Sequence, residues 1–150
     1  MRRIIRLAAL PLVFAAGFFC ARSMPVVHAA AAPWTAQIVD VGTLTDSDLG
    51  TPAPTGSRSK TYAVADGATV AVQSGNVIKH YHADANEIQY ILEGSGKFWL
   101  GDSVRDVHPG DMIIIPKGTN HAGSQATTGR FKAISIKTPP QAADDVHPVP

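Results

Sequence analysis

Cysteine is nearly absent from this chain of 150 residues, which contains Cys20 and no other. Cys20 lies in an amino-terminal segment that we expect to be removed from the mature protein. The mature chain would then have no disulfide bond and no thiol chemistry. Its stability must come from the packing of side chains, to which a bound metal ion would add.

Long apolar runs are also scarce. Residues 7–20 are uncharged and mostly apolar, but this run is shorter than the about 20 residues that a membrane-spanning helix needs. It follows a basic head over residues 1–6 and precedes small residues from Ala29 to Ala32. This order is typical of a secretory signal peptide. We therefore predict a signal peptide over residues 1–30, cleavage between Ala29 and Ala32, and a periplasmic or secreted protein.

Other interpretations of the amino-terminal segment agree less well with its residues. A retained membrane anchor is opposed by Pro11 and Gly17 within the short apolar run. A lipid-modified amino terminus at Cys20 would require a small residue where Phe19 stands. Arg2 and its neighbour Arg3 resemble the start of a twin-arginine signal, but nothing else of that pattern follows. We expect no stable membrane span after signal cleavage.

Basic residues are in the minority once residues 1–30 are removed. That segment holds four of the 13 Lys and Arg residues and none of the 12 Asp and Glu residues, which leaves nine basic residues and a net charge of about −3. A protein that binds nucleic acid usually displays a basic stripe. The sequence thus argues against nucleic acid as a partner. It also lacks a Ser/His/Asp arrangement, a phosphate-binding loop and a dinucleotide fingerprint.

Helical periodicity is missing from Trp34 onward, where no run of ten or more residues shows it. Short stretches rich in β-branched residues recur instead, separated by turn sequences such as Asp66-Gly67. This spacing indicates an all-β sandwich or barrel. The predicted strands span residues 37–41, 60–64, 69–72, 77–82, 87–92, 96–100, 104–107, 112–115, 121–124 and 131–136.

The domain organisation follows from these strands and from the distribution of proline. We predict an amino-terminal strand and loop over residues 31–59 and a β-barrel over residues 60–137. Residues 138–150 contain too many prolines for a core strand, so we expect an extended carboxyl-terminal tail.

Three histidines and one glutamate form a candidate metal site. Side chains alternate between the faces of a strand, so His80 and His82 point the same way. Residues 83–86 can turn the chain and bring Glu87 back beside them, and His121 begins a later strand after a Pro-Lys-Gly turn. Imidazole nitrogens and a carboxylate oxygen suit one divalent ion such as Fe, Mn, Ni or Zn. Three or four protein ligands leave a coordination position open, as in catalytic sites.

The spacing of these residues resembles that of the cupin superfamily. The first cupin motif, G-x5-H-x-H-x3,4-E-x6-G, corresponds to Gly75, His80, His82, Glu87 and Gly94. The second motif, G-x5-P-x-G-x2-H-x3-N, corresponds to Gly110, Pro116, Gly118 and His121.

Two positions depart from the motifs. Gly75 lies four residues before His80 instead of five, and Gln125 replaces the final asparagine. Neither position is a metal ligand in the family. The resemblance covers residues 61–136, with the 15 residues 95–109 between the motifs, a spacing typical of small microbial cupins. It implies a single jelly-roll β-barrel with one divalent metal ion. The implied ligands are His80, His82, Glu87 and His121.

Neighbours of the ligands are predicted to line a substrate pocket. Ile78 shares the parity of His80, and Gln89 and Ile91 share that of Glu87, so we expect all three in the cavity. Gln89 could hydrogen-bond a ligand. On the opposite face lies an apolar row of Ile88, Tyr90 and Leu92. This row either packs beneath the amino-terminal strands or forms the contact of a homodimer, the alternative we favour.

The resemblance implies two classes of function. The first is a mononuclear metalloenzyme acting on a small organic molecule, with a dioxygenase favoured over an isomerase or lyase. Glu87 would then be catalytic, as a ligand or a proton shuttle. The second is a non-catalytic module that binds a sugar or metabolite with the help of the metal. The sequence does not separate them, because one fold supports many chemistries.

Overall fold

Residues 34–150 are described by a computed structural model, so the predicted signal peptide over residues 1–30 lies outside the described part. Within residues 34–150 the one helical element is a single 3₁₀ turn at Asp46–Leu49. No helix of this region has the length and apolar character needed to cross a membrane.

Strands make up most of the described chain, and all their pairings are antiparallel. They are β1 (Arg58–Ala65), β2 (Ala68–Ser74), β3 (His80–Tyr81), β4 (Asn86–Leu100), β5 (Ser103–Val107), β6 (Met112–Ile115), β7 (His121–Thr138) and β8 (His147–Pro148).

The two longest strands, β4 and β7, each run through both sides of the barrel, because their first and second halves pair with different strands. The second half of β7 pairs with β2 along one edge and with the first half of β4 along the other. The first half of β7 pairs with β3 and with the second half of β4. Along its other edge, β4 pairs with β6 through its first half and with β5 through its second half. Because both long strands belong to both sides, the sheet curls on itself. The prediction of an all-β, jelly-roll barrel is confirmed.

The predicted break between residues 87–92 and 96–100 is wrong, because both stretches belong to the continuous strand β4. The glycines there allow close contact with β7 instead of forming a hairpin corner. A Cβ atom at Gly96 would lie 2.1 Å from the carbonyl oxygen of Gln125, and one at Gly94 would lie 2.6 Å from the backbone of Arg130. Only glycine permits this approach. The predicted strands 121–124 and 131–136 are likewise joined in β7.

The predicted strand over residues 37–41 is also wrong. Residues 34–40 form no strand, and two carbonyls at the end of this segment are held by a lysine instead of a strand partner. The Nζ atom of Lys132 lies 3.3 Å from the carbonyl oxygens of Val41 and Gly42. The segment therefore follows the barrel without extending its sheet.

The main apolar core fills the interior of the barrel beside the predicted ligands. Its members come from β4 to β7 and alternate with outward-facing residues, as in a barrel whose interior is filled by side chains. The buried members are Ile91, Phe98, Val107, Ile113, Ile115, Ala122, Phe131 and Ala133.

Candidate metal centre

Three buried histidines meet inside the barrel. His80 in β3 is the cross-strand partner of His121, the first residue of β7, and His82 follows β3 directly. The ring centroids are 4.3 Å apart for His80 and His121, and 5.0 Å apart for His80 and His82. One nitrogen of each ring lies within 4.8 Å of the others. The fold thus gathers three potential ligand atoms from two distant parts of the chain.

Each imidazole is fixed in orientation by a backbone carbonyl. The Nδ1 atom of His80 lies 2.9 Å from the carbonyl oxygen of Ile78, and that of His121 lies 2.9 Å from that of Thr119. The Nδ1 atom of His82 lies 2.5 Å from the carbonyl oxygen of Asp145. A carbonyl oxygen only accepts hydrogen bonds, so Nδ1 must donate in all three cases. In the neutral form of each ring, Nε2 is then the nitrogen that offers a lone pair, as in metal-binding histidines.

The Nε2 atoms of His82 and His121 are buried and have no hydrogen-bond partner. The Oε2 atom of Glu87 lies 3.3 Å from the first and 3.2 Å from the second, without the alignment of a hydrogen bond. Unsatisfied buried nitrogens are rare in proteins. Two ligands of one transition-metal ion, with bonds of about 2.0–2.2 Å, lie about 3 Å apart. These residues therefore fit a divalent metal ion, which would satisfy both nitrogens.

The protonation states also suit metal binding. Burial, with a contribution from the nearby His121, lowers the pKa of His80 to about 4, so its ring is neutral at physiological pH. Burial by itself would raise the pKa of Glu87. His121, His82 and the charge of Lys137 outweigh that effect and hold this pKa well below its usual value. The site therefore presents a neutral imidazole at His80 and an ionised carboxylate at Glu87.

The two oxygens of Glu87 have different surroundings. Oε2 faces the imidazoles, while Oε1 accepts hydrogen bonds from Ser135 Oγ at 2.6 Å and Gln89 Nε2 at 3.1 Å. The Nζ atom of Lys137 lies 3.7 Å from the same Oε1. These contacts fix the carboxylate and leave one oxygen free to act as a ligand.

A cavity of about 230 Å³ leads to the site. It is lined by His80, His82 and Glu87, whereas His121 lies behind them and is fully buried. Aromatic side chains, including Phe98, and the ammonium group of Lys137 line other parts of the wall. The cavity can hold only a small molecule, and its wall combines apolar contacts with one cation.

The predicted pocket residues separate into two groups. Gln89 and Ile91 line the cavity, and Gln89 bonds Glu87 directly. The prediction for Ile78 is wrong: it lies outside the cavity wall and is 45% exposed. Residues 75–79 form no regular strand, so the alternation of side chains does not extend back from His80. Val77 lines the cavity instead.

Three residues at the site were missed by sequence reasoning. Ser135 and Lys137 lie two residues apart, and the alternation of β7 could have assigned Ser135 to the face of Ala133, inside the barrel. No sequence pattern could have indicated Asp145, because its contact with His82 joins residues 63 positions apart.

The apolar row on the outer face of β4 remains partly exposed. Tyr90 is 41% exposed, and the neighbouring strand β6 adds Met112 at 63% and Ile114 at 59%. Val39 and Val41 of the amino-terminal segment instead border a groove on the β1–β2 side. Within residues 34–150, packing of this row beneath the amino-terminal segment is therefore not seen. The homodimer stays a prediction.

Comparison with known proteins assigns the family. A family model for the cupin domain matches residues 68–137. The chain belongs to the cupin superfamily. This cupin also resembles the structure of an uncharacterized conserved protein with a double-stranded β-helix domain from Klebsiella pneumoniae. That match has a TM-score of 0.57 and 15% identity and covers 71% of this chain and 96% of the other. At such low identity it supports the fold alone.

Two curated relatives align with parts of this cupin. Acireductone dioxygenase 3 of Physcomitrium patens is 38% identical over 86 residues, which cover 47% of this chain and 40% of the relative. An uncharacterized protein of Methanocaldococcus jannaschii is 35% identical over 78 residues, which cover 52% of this chain and 62% of the relative. The chain therefore spans about two fifths of the length of the dioxygenase.

Proposed function

We propose that this cupin is a mononuclear metalloenzyme of the dioxygenase type that acts on a small organic molecule. The observation that supports this most is the pair of unpartnered, buried Nε2 atoms, of His82 and His121, beside Oε2 of Glu87. His80 would be the further ligand that borders the cavity. Similarity to an acireductone dioxygenase supports the choice among cupin reactions.

A divalent ion bound by these residues would supply a Lewis acid with open coordination positions. The protein residues then have separate tasks. Ser135 and Gln89 hold Oε1 of Glu87, so the carboxylate keeps one orientation while Oε2 acts as a ligand or moves a proton. Phe98 and Phe131 border the cavity and reduce the access of water.

The cavity wall favours a substrate that bears negatively charged or strongly polar oxygen atoms. Lys137 is only 12% exposed at its side chain, and its Nζ atom lies beside Glu87. A desolvated ammonium attracts an anionic oxygen more strongly than an exposed one does. We therefore infer a small substrate, such as an acireductone, whose anionic oxygen lies near Lys137.

Oxygen consumption tests this proposal. The purified protein would be loaded with Fe²⁺ or with Ni²⁺ and mixed with an acireductone, and then with catechols, flavonols, thiols and diketones. We expect substrate-dependent uptake that is lost in His121→Gln and kept in His108→Gln. His108 is the matched control, since its side chain is 65% exposed and contacts only Asp111 among charged partners in the described region.

The alternatives correspond to other outcomes of the same experiment. Turnover of an isomerase or lyase substrate without oxygen uptake would favour Lewis-acid chemistry. A fully loaded protein that binds compounds but converts none would favour the non-catalytic binding module and contradict the enzymatic proposal.

Export is a separate proposal that rests on the pattern of residues 1–30. We infer a periplasmic or secreted protein that acquires its metal outside the cytoplasm, where Zn and Cu also compete for such ligands. Cell fractionation and amino-terminal sequencing test it. A mature amino terminus between Ala29 and Ala32 is expected, and an intact Met1 in the cytoplasmic fraction would contradict export.

A further inference from the structure

We infer that the carboxyl-terminal tail, residues 138–150, is part of the metal centre, and that Asp145 is the positioning residue through which it acts. The inference rests on the proposed metal site. It concerns a stretch that lies outside both sequence motifs and outside residues 68–137, the region matched by the cupin model.

The backbone of Asp145 orients the imidazole ring of one predicted ligand, His82. Its carbonyl oxygen accepts the hydrogen bond from Nδ1 of His82 at 2.5 Å, and it also accepts one from Nε2 of Gln141 at 3.2 Å. His80 and His121 are fixed differently, because each bonds a carbonyl only two residues away in its own segment. Among the three imidazoles, His82 alone depends on a distant part of the chain for its orientation.

The side chain of Asp145 holds the loop that joins two ligands. Its carboxylate accepts backbone N–H groups from Ala83 at 2.6 Å, Ala85 at 3.1 Å and Asp84 at 3.3 Å. Successive N–H groups of this kind form a nest that binds an anion. Here the anion belongs to the protein and is only 3% exposed. The loop over residues 83–85 separates His82 from Glu87, so the nest sets the distance between these two ligands.

Additional contacts keep Asp145 in position. Strand β8 pairs with β3 through His147 opposite Tyr81, and the two rings stack with centroids 4.8 Å apart. The backbone N–H of Val149 donates to the carbonyl of Lys79 at 3.0 Å. Gln141 and the neighbouring Val146 also border the cavity. The tail is thus attached to the ligand strand itself and forms one wall of the substrate cavity.

The test compares Co²⁺ binding by the full-length protein and three variants, using the visible absorption spectrum of the bound Co²⁺ and a competition titration. Asp145→Ala removes the nest anion, and Asp145→Asn keeps one acceptor oxygen in a side chain of the same size. Asp144→Ala is the matched control, because Asp144 is the adjacent exposed acid. Loss of a partner that orients a ligand typically weakens metal binding about 10–100-fold.

We expect Asp145→Ala to weaken Co²⁺ binding by about 10–100-fold and to change the absorption spectrum. Asp145→Asn should have a smaller effect, and Asp144→Ala should behave as the unchanged protein. The isosteric asparagine variant keeps the test valid if the alanine variant does not fold. Equal Co²⁺ affinity and identical spectra in Asp145→Asn and the unchanged protein would overturn the inference.

A general loss of stability must be distinguished from a local effect. Lys132→Met serves as the second comparison, because Lys132 lies opposite Glu93 in the sheet, six residues along β4 from the predicted ligand Glu87. If this variant lowers Co²⁺ affinity as much as Asp145→Ala does at a similar melting temperature, the role of Asp145 is only structural and the inference fails. If the unchanged protein binds no Co²⁺, the proposed function fails first.

Discussion

The amino-terminal segment, residues 34–49, and the carboxyl-terminal tail, residues 138–150, are both laid along the barrel, but they are attached in different ways. Charged side chains hold the first: Lys132 bonds the carbonyls of Val41 and Gly42, and Asp46 pairs with Arg130. Hydrogen bonds to a predicted ligand and its loop hold the second. The contacts of the amino-terminal segment therefore stabilise the barrel, and those of the tail support the metal centre.

Lys132 explains why the amino-terminal attachment is strong. Its side chain is 2% exposed, and its Nζ atom lies 2.6 Å from Oε1 of Glu93, which is about half-exposed. A buried ammonium is stable only when its donors are satisfied. The two carbonyl oxygens and the carboxylate meet that need, so the segment and the lysine depend on each other.

Lys132→Met should produce the largest change in stability. It removes the charged hydrogen bonds that hold Val41 and Gly42, which contribute about 1.5–3 kcal/mol each. Because the cost of burying an ammonium group is removed as well, we expect a net loss of about 2 kcal/mol in the free energy of unfolding. Denaturant titration measures it. Metal affinity should be unchanged, and a parallel loss of metal would contradict the separation of the two regions.

Ser135→Ala should have an intermediate effect that appears in metal binding. It deprives Oε1 of Glu87 of its 2.6 Å hydrogen bond, and we expect metal affinity to fall about tenfold, which corresponds to about 1.4 kcal/mol. Competition titration with a chromogenic chelator measures it. Ser124→Ala is the control, because Ser124 is also a buried serine and borders the cavity without contacting Glu87. Equal losses in both variants would show that Ser135 has no special relation to Glu87.

Asp46→Asn should have the smallest effect. Asp46 contacts Arg130, Arg58 and Ser74, but its side chain is 45% exposed. Ion pairs that are open to solvent contribute about 0–1 kcal/mol. We expect a loss of stability below about 1 kcal/mol that shrinks further in high salt, with no change in metal affinity. A loss as large as that of Lys132→Met would show that this ion pair, not the buried lysine, anchors the segment.

The same two regions show how far the sequence was informative. The start of β7 at His121 was predictable, because motif spacing is a local property. The strand of His80 was predicted only in part, since it spans His80–Tyr81 and not residues 77–82. The tail was not predictable, since its hydrogen bonds to residues 82–85 join positions about 60 apart. Ile78 was misassigned for a related reason: alternation requires a regular strand, and residues 75–79 do not form one.

The continuous strands β4 and β7 show a second limit. Glycines such as Gly94 mark turns and close backbone contacts alike, and only the fold distinguishes these uses. The predicted strand over residues 37–41 failed because its β-branched composition suits a strand equally well whether or not a partner edge is available.

The most direct test of this account is the metal content of the purified protein, measured by mass spectrometry together with its melting temperature before and after chelation. We predict a single divalent ion per chain and a lower melting temperature after its removal, since a ligand at 100 times its Kd adds about 2.7 kcal/mol of stability. The double variant His80→Ala with His121→Ala should lose both the ion and the response to chelation. Unchanged metal content and melting temperature in this variant would contradict the assignment of the metal centre.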